Sequence, residues 1–209
     1  MLLYGPAVRQ IRQCVLFGAA VLTLTACGAV TAPGTGEVIT PAAQATEMAP
    51  PYGACEQVPT ADMAGRPVEE ALTRSPELAT LARLLPDLPL LAESLSSEPS
   101  LTVFAPSDDA FARLRAELGD PAYNALLADK QRLDGLLSYH VSAKRLDAQQ
   151  LVDAGKTTQL AYGDVTVGGT PDAIRLTSTA GTAAKVLCGN VQTATATVFV
   201  IDEVLRPAT

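Results

Sequence analysis

Histidine and tryptophan are the scarcest residues of this 209-residue chain, which has one histidine, His140, and no tryptophan. A Ser-His-Asp hydrolase would have to use that single histidine, and the chain lacks the Gly-x-Ser-x-Gly turn that presents a nucleophilic serine. A zinc site needs more His or Cys ligands than one histidine and the available cysteines supply. No P-loop and no Gly-x-Gly-x-x-Gly motif is present either. The sequence therefore predicts a protein that is not an enzyme and holds no metal or cofactor.

Aromatic and basic side chains are also few. Four phenylalanines and five tyrosines are too few for a large aromatic ligand platform. Lysine and arginine number 15 against 22 aspartates and glutamates, which gives a formal charge of -7. Loss of residues 1–26, which contain two arginines and no acid, would bring the charge to -9. Nucleic acids and anionic lipids bind basic surfaces, so the composition argues against both as partners, and solubility explains the acidity.

The amino terminus predicts export. Arg9 and Arg12 precede an uncharged apolar stretch, residues 15–24, which suits a signal-peptide core and is short for a membrane span. The stretch ends in Leu-Thr-Ala-Cys27, which resembles a bacterial lipobox. We therefore predict a lipoprotein signal peptide over residues 1–26 and acylation of Cys27, whose acyl chains would hold the protein to the membrane. The alternative is an ordinary secretory signal followed by an accidental cysteine.

Residues 27–58 are rich in Ala, Thr, Gly and Pro and poor in large apolar side chains. Such a segment cannot bury enough surface to offset its chain entropy. We expect a flexible tether that lifts the following domain off the membrane. Residues 59–207 have the size of one domain. The predicted location is the cell envelope, with the domain facing outward or into the periplasm.

A strand followed by a capped helix is predicted near the middle of the chain. The run from Thr102 through Phe104 is β-branched and aromatic, which is typical of a buried strand. Pro106 ends it because proline cannot donate to a ladder. Ser107 stands at the N-cap position, and two aspartates follow in the first turn, where carboxylates favour the positive end of a helix. Phe111 begins the apolar face of that helix.

The last strands carry an embedded carboxylate. Residues 198–201 are apolar on both faces, which predicts a strand that is covered on both sides. Asp202 interrupts the run, and because a buried carboxylate is costly without hydrogen bonds, we expect it to accept from backbone N–H groups or a hydroxyl. Val204 and Leu205 are predicted to continue the strand. The alternation over residues 193–197 predicts a further two-faced strand.

Apart from the strand that contains Thr102, the first part of the domain is predicted to be helical and the second part to be strands. Ser75 and the proline that follows it form a helix-start signal, with Ser75 as the N-cap. From Thr157 onward, apolar residues alternate with polar ones and glycines separate the runs, which predicts strands joined by tight turns. We expect one α+β domain with a mostly antiparallel, partly closed sheet and a helical cap.

Three segments in this order resemble the conserved segments of the fasciclin (FAS1) family: residues 102–111, 136–141 and 196–207. The resemblance covers roughly residues 66–207 and is to the bacterial secreted and lipoprotein branch. It implies the wedge-shaped fasciclin fold, an extracellular adhesion or interaction module, and a structural role for Asp202. The chain departs from the family where an Asn-Gly turn and a histidine are common near the last segment, since it has Thr195-Ala196 and Phe199 there.

The second of these segments contains Tyr139 and His140. One interpretation is structural, with the histidine ring hydrogen-bonded to the backbone while the tyrosine packs. The other comes from the family, because the matching segment of animal members has been implicated in receptor contact. A core position and a contact position predict the same residues, so both interpretations stay open.

Two cysteines remain once the leader is removed and Cys27 is acylated, namely Cys55 and Cys188. An even pair in an exported protein predicts a disulfide. Some actinobacterial secreted fasciclin antigens are similar, with one cysteine ahead of the domain and another just before the last conserved strand. The alternative is two buried free thiols.

Two functions are compatible with these observations. The first is a surface-anchored lipoprotein that presents a FAS1 domain to a cell-surface or matrix protein. The second is an envelope module that binds a lipid or an apolar small molecule in a cleft between helices and sheet, which a large apolar pocket would indicate. An envelope spacer without a partner differs from the first only in lacking that contact.

Overall fold

The computed structural model describes residues 53–208, in which most helices precede most strands, with β1 and β2 lying between helices. The predicted leader, Cys27 and the tether up to residue 52 lie outside the described residues. The helices are α1 (Thr60–Met63), α2 (Val68–Leu72), α3 (Ala79–Leu84), α4 (Pro89–Ser97), α5 (Asp108–Leu118), α6 (Asp120–Ala128), α7 (Lys130–Ser138) and α8 (Ala148–Ala154). The strands are β1 (Leu101–Pro106), β2 (Val141–Ser142), β3 (Lys156–Thr158), β4 (Asp164–Thr170), β5 (Ala173–Thr177), β6 (Ala183–Gln192) and β7 (Ala196–Ile201). Short 3₁₀ turns span Gly53–Gln57, Pro76–Leu78 and Leu85–Asp87.

The strands form one sheet in the order β2-β1-β7-β6-β5-β4-β3. Neighbouring strands are antiparallel except β1 and β7, which run parallel, with Phe104 opposite Phe199. Every residue of β1 and β7 is buried, as expected for strands covered on both faces. The rings of Phe104 and Phe199 lie 6.0 Å apart between centroids and pack as a tilted aromatic pair in the core.

The two end strands of the sheet approach each other. The Thr157 hydroxyl of β3 donates to the Ser142 hydroxyl of β2 at 2.9 Å. Just beyond β3, the Leu160 N–H donates to the carbonyl of Val141 at 2.7 Å. These contacts nearly close the sheet, and the helices cover it. The predicted α+β class, with a mostly antiparallel, partly closed sheet and a helical cap, is confirmed.

Ser75 stands at the N-cap position with Pro76 in the first turn, as predicted, but its side chain makes no capping hydrogen bond. Its hydroxyl is buried and has no hydrogen-bond partner within the described residues, and the segment opens with a 3₁₀ turn, Pro76–Leu78, before α3. The Thr80 N–H, in the first turn of α3, donates instead to Asp108 Oδ1 of α5 at 2.7 Å. A carboxylate from a neighbouring helix therefore satisfies the orphan donor that a local cap normally takes.

Two strand predictions near the carboxyl end are corrected: residues 196 and 197 begin β7, but the strand predicted over 193–197 does not include its first three residues. Residues 193–195 form a turn, in which the Thr193 hydroxyl accepts from the Ala196 N–H and donates to its carbonyl, both at 2.9 Å. A threonine side chain thus closes the last hairpin locally. The strand does not continue through Val204 and Leu205 either, because the Leu205 N–H bonds to the His140 ring and pairs with no strand.

Candidate functional site

Tyr139 and His140 connect the end of α7 to the start of β2. Both rings lie in the core, with 0% of Tyr139 and 2% of His140 exposed. Their planes meet edge to face, with 6.4 Å between the ring centroids. The last turn of α7 is buried next to this corner, since both Leu136 and Leu137 are buried.

Both nitrogens of His140 are hydrogen-bonded to the backbone. Nδ1 lies 2.8 Å from the Leu136 carbonyl one turn earlier, and Nε2 accepts from the Leu205 N–H at 2.9 Å. Since Nε2 accepts, the proton of the neutral ring lies on Nδ1 and is donated to Leu136. Burial lowers the pKa of His140 from 6.5 to about 4, because the charged ring would lose its hydration. The neutral ring therefore ties the segment after β7 to α7.

The Tyr139 hydroxyl is bonded to two backbone groups. It donates to the Asp164 carbonyl at 2.9 Å and accepts from the Thr179 N–H at 3.0 Å. Asp164 begins β4, and Thr179 lies in the turn between β5 and β6. One phenol therefore links the helical layer to two hairpins of the sheet.

This geometry favours the structural interpretation of the Tyr-His segment. Neither ring presents a face to solvent, and every polar atom of the two side chains is engaged within the domain. A partner could touch these side chains only if the corner between α7 and β2 opened. Removal of either side chain would also leave buried backbone groups unpaired, which costs stability.

The strand-to-helix segment acts as a connector. The Thr102 hydroxyl donates to the Lys144 carbonyl at 2.6 Å and accepts from the Leu146 N–H at 2.9 Å, which fastens the loop after β2 to β1. The Ser107 hydroxyl accepts from the Ala110 N–H at 3.2 Å and caps α5. Three further residues of the segment, Phe104, Pro106 and Phe111, are buried. The sequence pattern predicted the Ser107 cap, but it did not predict the hydrogen bonds between the Thr102 hydroxyl and the loop after β2.

Asp202 lies in the last family segment, residues 196–207, directly after β7. Its Oδ1 accepts from the Lys185 N–H at 2.6 Å, and its own N–H donates to the Lys185 carbonyl at 3.1 Å. Arg113 of α5 donates to the Asp202 carbonyl at 2.6 Å and lies 3.5 Å from the Glu203 carboxylate. The Asp202 carboxylate thus continues the pairing of β6 with the chain beyond β7, and the Asp202 carbonyl joins that chain to Arg113 of α5.

The predicted disulfide between Cys55 and Cys188 is confirmed, with 4.8 Å between the Cα atoms. It joins the first 3₁₀ turn to β6, and both residues are buried. The alternative of two free thiols is therefore wrong.

A cleft that sequence reasoning did not locate opens at the ends of α5, α6 and α7. Its volume is about 210 Å³. It is lined by Leu114, Leu118, Leu126, Arg132, Leu136, Tyr162, Arg206, Pro207 and Ala208. Apolar side chains from three helices form the floor, while the β3–β4 loop and the segment after β7 form the walls. No local pattern indicates it, because separate elements supply the lining.

Tyr162 forms the wall of this cleft nearest to α7. It is 56% exposed, and its backbone is left-handed with φ of 59°, a conformation that is uncommon for a residue with a Cβ. Its ring lies over Gly135, where an added methyl group would come within 2.6 Å of the phenol oxygen. The ring also meets Tyr139 edge to face, at 6.5 Å between centroids. Gly135 therefore makes room for Tyr162 against the helix.

Within residues 53–208, no three His, Cys, Asp or Glu side chains lie close enough together to hold a metal ion. No helix of the same part of the chain combines the length and apolar character that a membrane span requires.

Comparison with known proteins gives one consistent family. The fasciclin domain model matches residues 76–207. The chain is 36% identical over 152 residues to the cell surface glycolipoprotein MPB83 of Mycobacterium bovis, an alignment that covers 70% of this chain and 63% of MPB83. It is 36% identical over 150 residues to the immunogenic protein MPT70 of Mycobacterium tuberculosis, covering 69% of this chain and 71% of MPT70. The chain thus spans less than two thirds of the length of the glycolipoprotein.

The fold is similar to a solved pair of FAS1 domains from the insect cell adhesion molecule fasciclin I. The TM-score is 0.51 at 19% sequence identity, and the match covers 62% of this chain and 45% of the insect chain. At this level of identity the likeness concerns the fold alone.

Proposed function

The chain belongs to the fasciclin domain family, and on that premise we propose that it is an exported surface module that binds a cell-surface or matrix protein and catalyses no reaction. The observation that supports this most is the shared domain. The matched region spans residues 76–207, and it is similar to a protein named as a cell surface glycolipoprotein. The Cys55–Cys188 disulfide suits an oxidising location outside the cytoplasm.

The anchor in this proposal is Cys27, which lies outside the described residues. The lipobox-like sequence Leu-Thr-Ala-Cys27 supports acylation, and the Ala/Thr/Gly/Pro segment that follows would space the domain from the membrane. Several acyl chains hold a protein far better than one, because each buried methylene contributes about 0.8 kcal/mol.

Metabolic labelling with palmitate in a bacterial host that processes lipoproteins tests the anchor. The full chain should incorporate label and sediment with membranes, and Cys27→Ala should abolish both. Cys14→Ala is the matched control, because Cys14 lies within the predicted leader and its loss should change neither result. Unchanged labelling of Cys27→Ala, or loss of labelling in Cys14→Ala alone, would contradict the assignment.

Binding of the soluble chain from Gly28 to Thr209 to whole cells and extracted matrix tests the interaction role. This chain omits only the predicted leader and the acylation site. Saturable binding that is lost after protease treatment of the cells is the expected result. Absence of saturable binding by a folded, disulfide-linked chain would contradict the adhesion function.

A second candidate function, the binding of a small apolar molecule, is favoured by one observation. Four of the nine residues that line the cleft between α5, α6, α7 and the segment after β7 are leucines, and small-molecule sites are concave and mostly apolar with a few polar groups. This function is compatible with the first, because the cleft takes up a small part of the surface.

A further inference from the structure

The cleft beside Tyr162 combines an apolar floor with cationic side chains at its rim. Leu114, Leu126 and Leu136 form the buried part of the floor, and Leu118 is half-buried. The half-buried Leu118 and the small exposed parts of the other three leucines leave some apolar surface in contact with water, which a ligand would cover. The occupant that such a floor suits is therefore an aliphatic group.

Two arginines lie at the rim of the cleft, and they differ in whether their guanidinium groups have partners. Arg206 is engaged, since its guanidinium lies 2.8 Å from the Glu117 carboxylate and donates to the Thr182 hydroxyl at 3.4 Å. Arg132 is exposed, and within the described part of the chain its guanidinium has no hydrogen-bond or ion-pair partner. The cleft of an acidic protein thus offers one uncompensated cation beside an apolar floor.

A single free guanidinium indicates a singly charged anionic head. Arginine presents a planar fork of donors that matches a carboxylate with two parallel hydrogen bonds. A phosphate monoester carries nearly two negative charges and would meet the Glu117 carboxylate next to Arg206. The charge on the rim therefore favours a carboxylate over a phosphate.

Tyr162 supplies a second polar group at the mouth. Its hydroxyl makes no hydrogen bond to any described residue, while its ring rests on Gly135 and against Tyr139. A free phenol donor on the wall of the cleft can bond to an anionic head. The left-handed backbone at Tyr162 holds the ring there at a conformational cost, which is typical of residues at functional positions.

The volume of the cleft limits the length of the aliphatic ligand that it can hold. A cleft of about 210 Å³ holds about seven groups of the size of a methylene, if each takes about the 30 Å³ of a water molecule in the liquid. A longer chain would extend past the rim into solvent. From the apolar floor, the free guanidinium, the free phenol and this volume, we propose that the cleft binds a medium-chain fatty-acid anion, with Arg132 and Tyr162 at the carboxylate.

This inference deepens the second candidate function and is independent of adhesion, so its failure would leave cell binding unaffected. Calorimetric titration of the chain from Gly28 to Thr209 with hexanoate, octanoate, decanoate and dodecanoate tests it, at concentrations below micelle formation. Affinity should rise about fourfold per methylene, which corresponds to about 0.8 kcal/mol, up to about eight carbons, and then level off. An undetectable heat with every acid, or an affinity that rises without a plateau, would overturn the proposal.

The head group is tested by comparing octanoate with octanol. Octanol should bind at least about tenfold more weakly, because a charge-assisted bond to arginine is worth more than a neutral one. Arg132→Gln should weaken the binding of octanoate at least about fivefold and leave the affinity for octanol unchanged. Arg175→Gln, at an exposed arginine of β5, is the matched control and should change neither affinity. Equal binding of the two ligands, or equal effects of the two variants, would overturn the role of the carboxylate.

The wall is tested by Gly135→Ala. The added methyl overlaps the phenol of Tyr162, and the exposed ring can move aside, so the variant should stay folded. Octanoate and octanol should both bind at least about threefold more weakly, with the thermal midpoint as the control for folding. Unchanged affinity for both ligands in a folded variant would show that Tyr162 does not form part of the site.

Discussion

Two tyrosines in edge-to-face contact, 6.5 Å apart between ring centroids, differ in almost every other respect. Tyr139 is fully buried, and its hydroxyl bonds to Asp164 and Thr179. Tyr162 is 56% exposed, has a left-handed backbone and keeps its hydroxyl free of protein partners within residues 53–208. The first lies in a family segment and the second does not.

The contrast separates the framework of this domain from its presented surface. The family segments supply the buried side of the contact, namely the rings, hydroxyls and carboxylates that join helices to sheet. The exposed side comes from a loop between β3 and β4, where loops carry recognition more often than core strands do. A recognisable segment therefore predicts the fold of this chain better than it predicts the residues that touch a partner.

Removal of the disulfide should give the largest effect on the framework. Cys55→Ala with Cys188→Ala opens a loop with a sequence separation of 133, and the chain-entropy model assigns about 5 kcal/mol to such a closure. Urea unfolding of the double variant should show a loss approaching that value. Tyr162→Ala, on the presented surface, should lose less than about 1 kcal/mol. Similar losses in the two variants would remove the distinction between framework and surface.

Acidification should destabilise the framework through His140. Its folded pKa, about 4, lies below the 6.5 of an unfolded chain, so the unfolded state binds more protons between these values. Stability attributable to this ring is complete above pH 6.5 and falls by about 3 kcal/mol as the pH drops to 4.

The single histidine of the chain makes this measurement direct. Its ring proton signals, followed by NMR against pH, should titrate near 4 in the folded protein and near 6.5 in urea. Between pH 6.5 and 4, the His140→Gln variant should lose about 3 kcal/mol less stability than the wild type. Its carboxylates are unchanged, so the difference reports the histidine alone. Titration of the folded ring near 6.5 would show that His140 is hydrated.

Removal of one oxygen should distinguish the two tyrosines. Tyr139→Phe leaves the Thr179 N–H and the Asp164 carbonyl without the phenol, which should cost about 1 to 3 kcal/mol. Tyr162→Phe removes a hydroxyl that has no described protein partner and should change stability by less than about 0.5 kcal/mol. Thermal unfolding of both variants measures the difference, and a larger loss in Tyr162→Phe would reverse the assignment.

The contact of Tyr162 with α7 should give the smallest effect. Glycine in a helix interior costs about 1 kcal/mol relative to alanine, so Gly135→Ala should stabilise the domain by about that amount once the Tyr162 ring is absent. In the wild-type background the gain should be smaller, because the new methyl displaces the ring. A double-mutant cycle with Tyr162→Ala measures the coupling, and identical gains in both backgrounds would show that the ring does not rest on Gly135.

Features with a short-range cause were predictable from the sequence. The β-branched and aromatic run and the proline at 106 placed β1, because residue type alone favours a strand there, and Ser107 placed α5, because its capping bond spans three residues. The class of the fold and the disulfide were also predicted, the latter because leader and lipobox left an even pair of cysteines. Ser75 shows the limit: its local pattern is that of a cap, but Asp108, 28 residues from Thr80 in sequence, takes the donor.

Features made by distant segments were not predictable. The cleft has a floor from three helices and walls from a loop and the segment after β7, so no stretch of sequence carries its pattern. The Tyr-His segment could be located but not assigned, because burial depends on how α7 packs against the sheet. Tyr162 had no signal in advance, since its left-handed backbone and its fit over Gly135 are visible only in the folded domain.

The measurement that tests the central claim most directly is saturable binding to cells and extracted matrix by the soluble chain from Gly28 to Thr209, compared with its Tyr139→Phe variant. At a temperature where both are folded, we predict saturable binding of the wild type and an unchanged dissociation constant for Tyr139→Phe, because the phenol of Tyr139 serves the framework. Absence of saturable binding by the folded wild type would contradict the surface-interaction function. A weaker affinity in folded Tyr139→Phe would contradict the assignment of the Tyr-His segment to the framework.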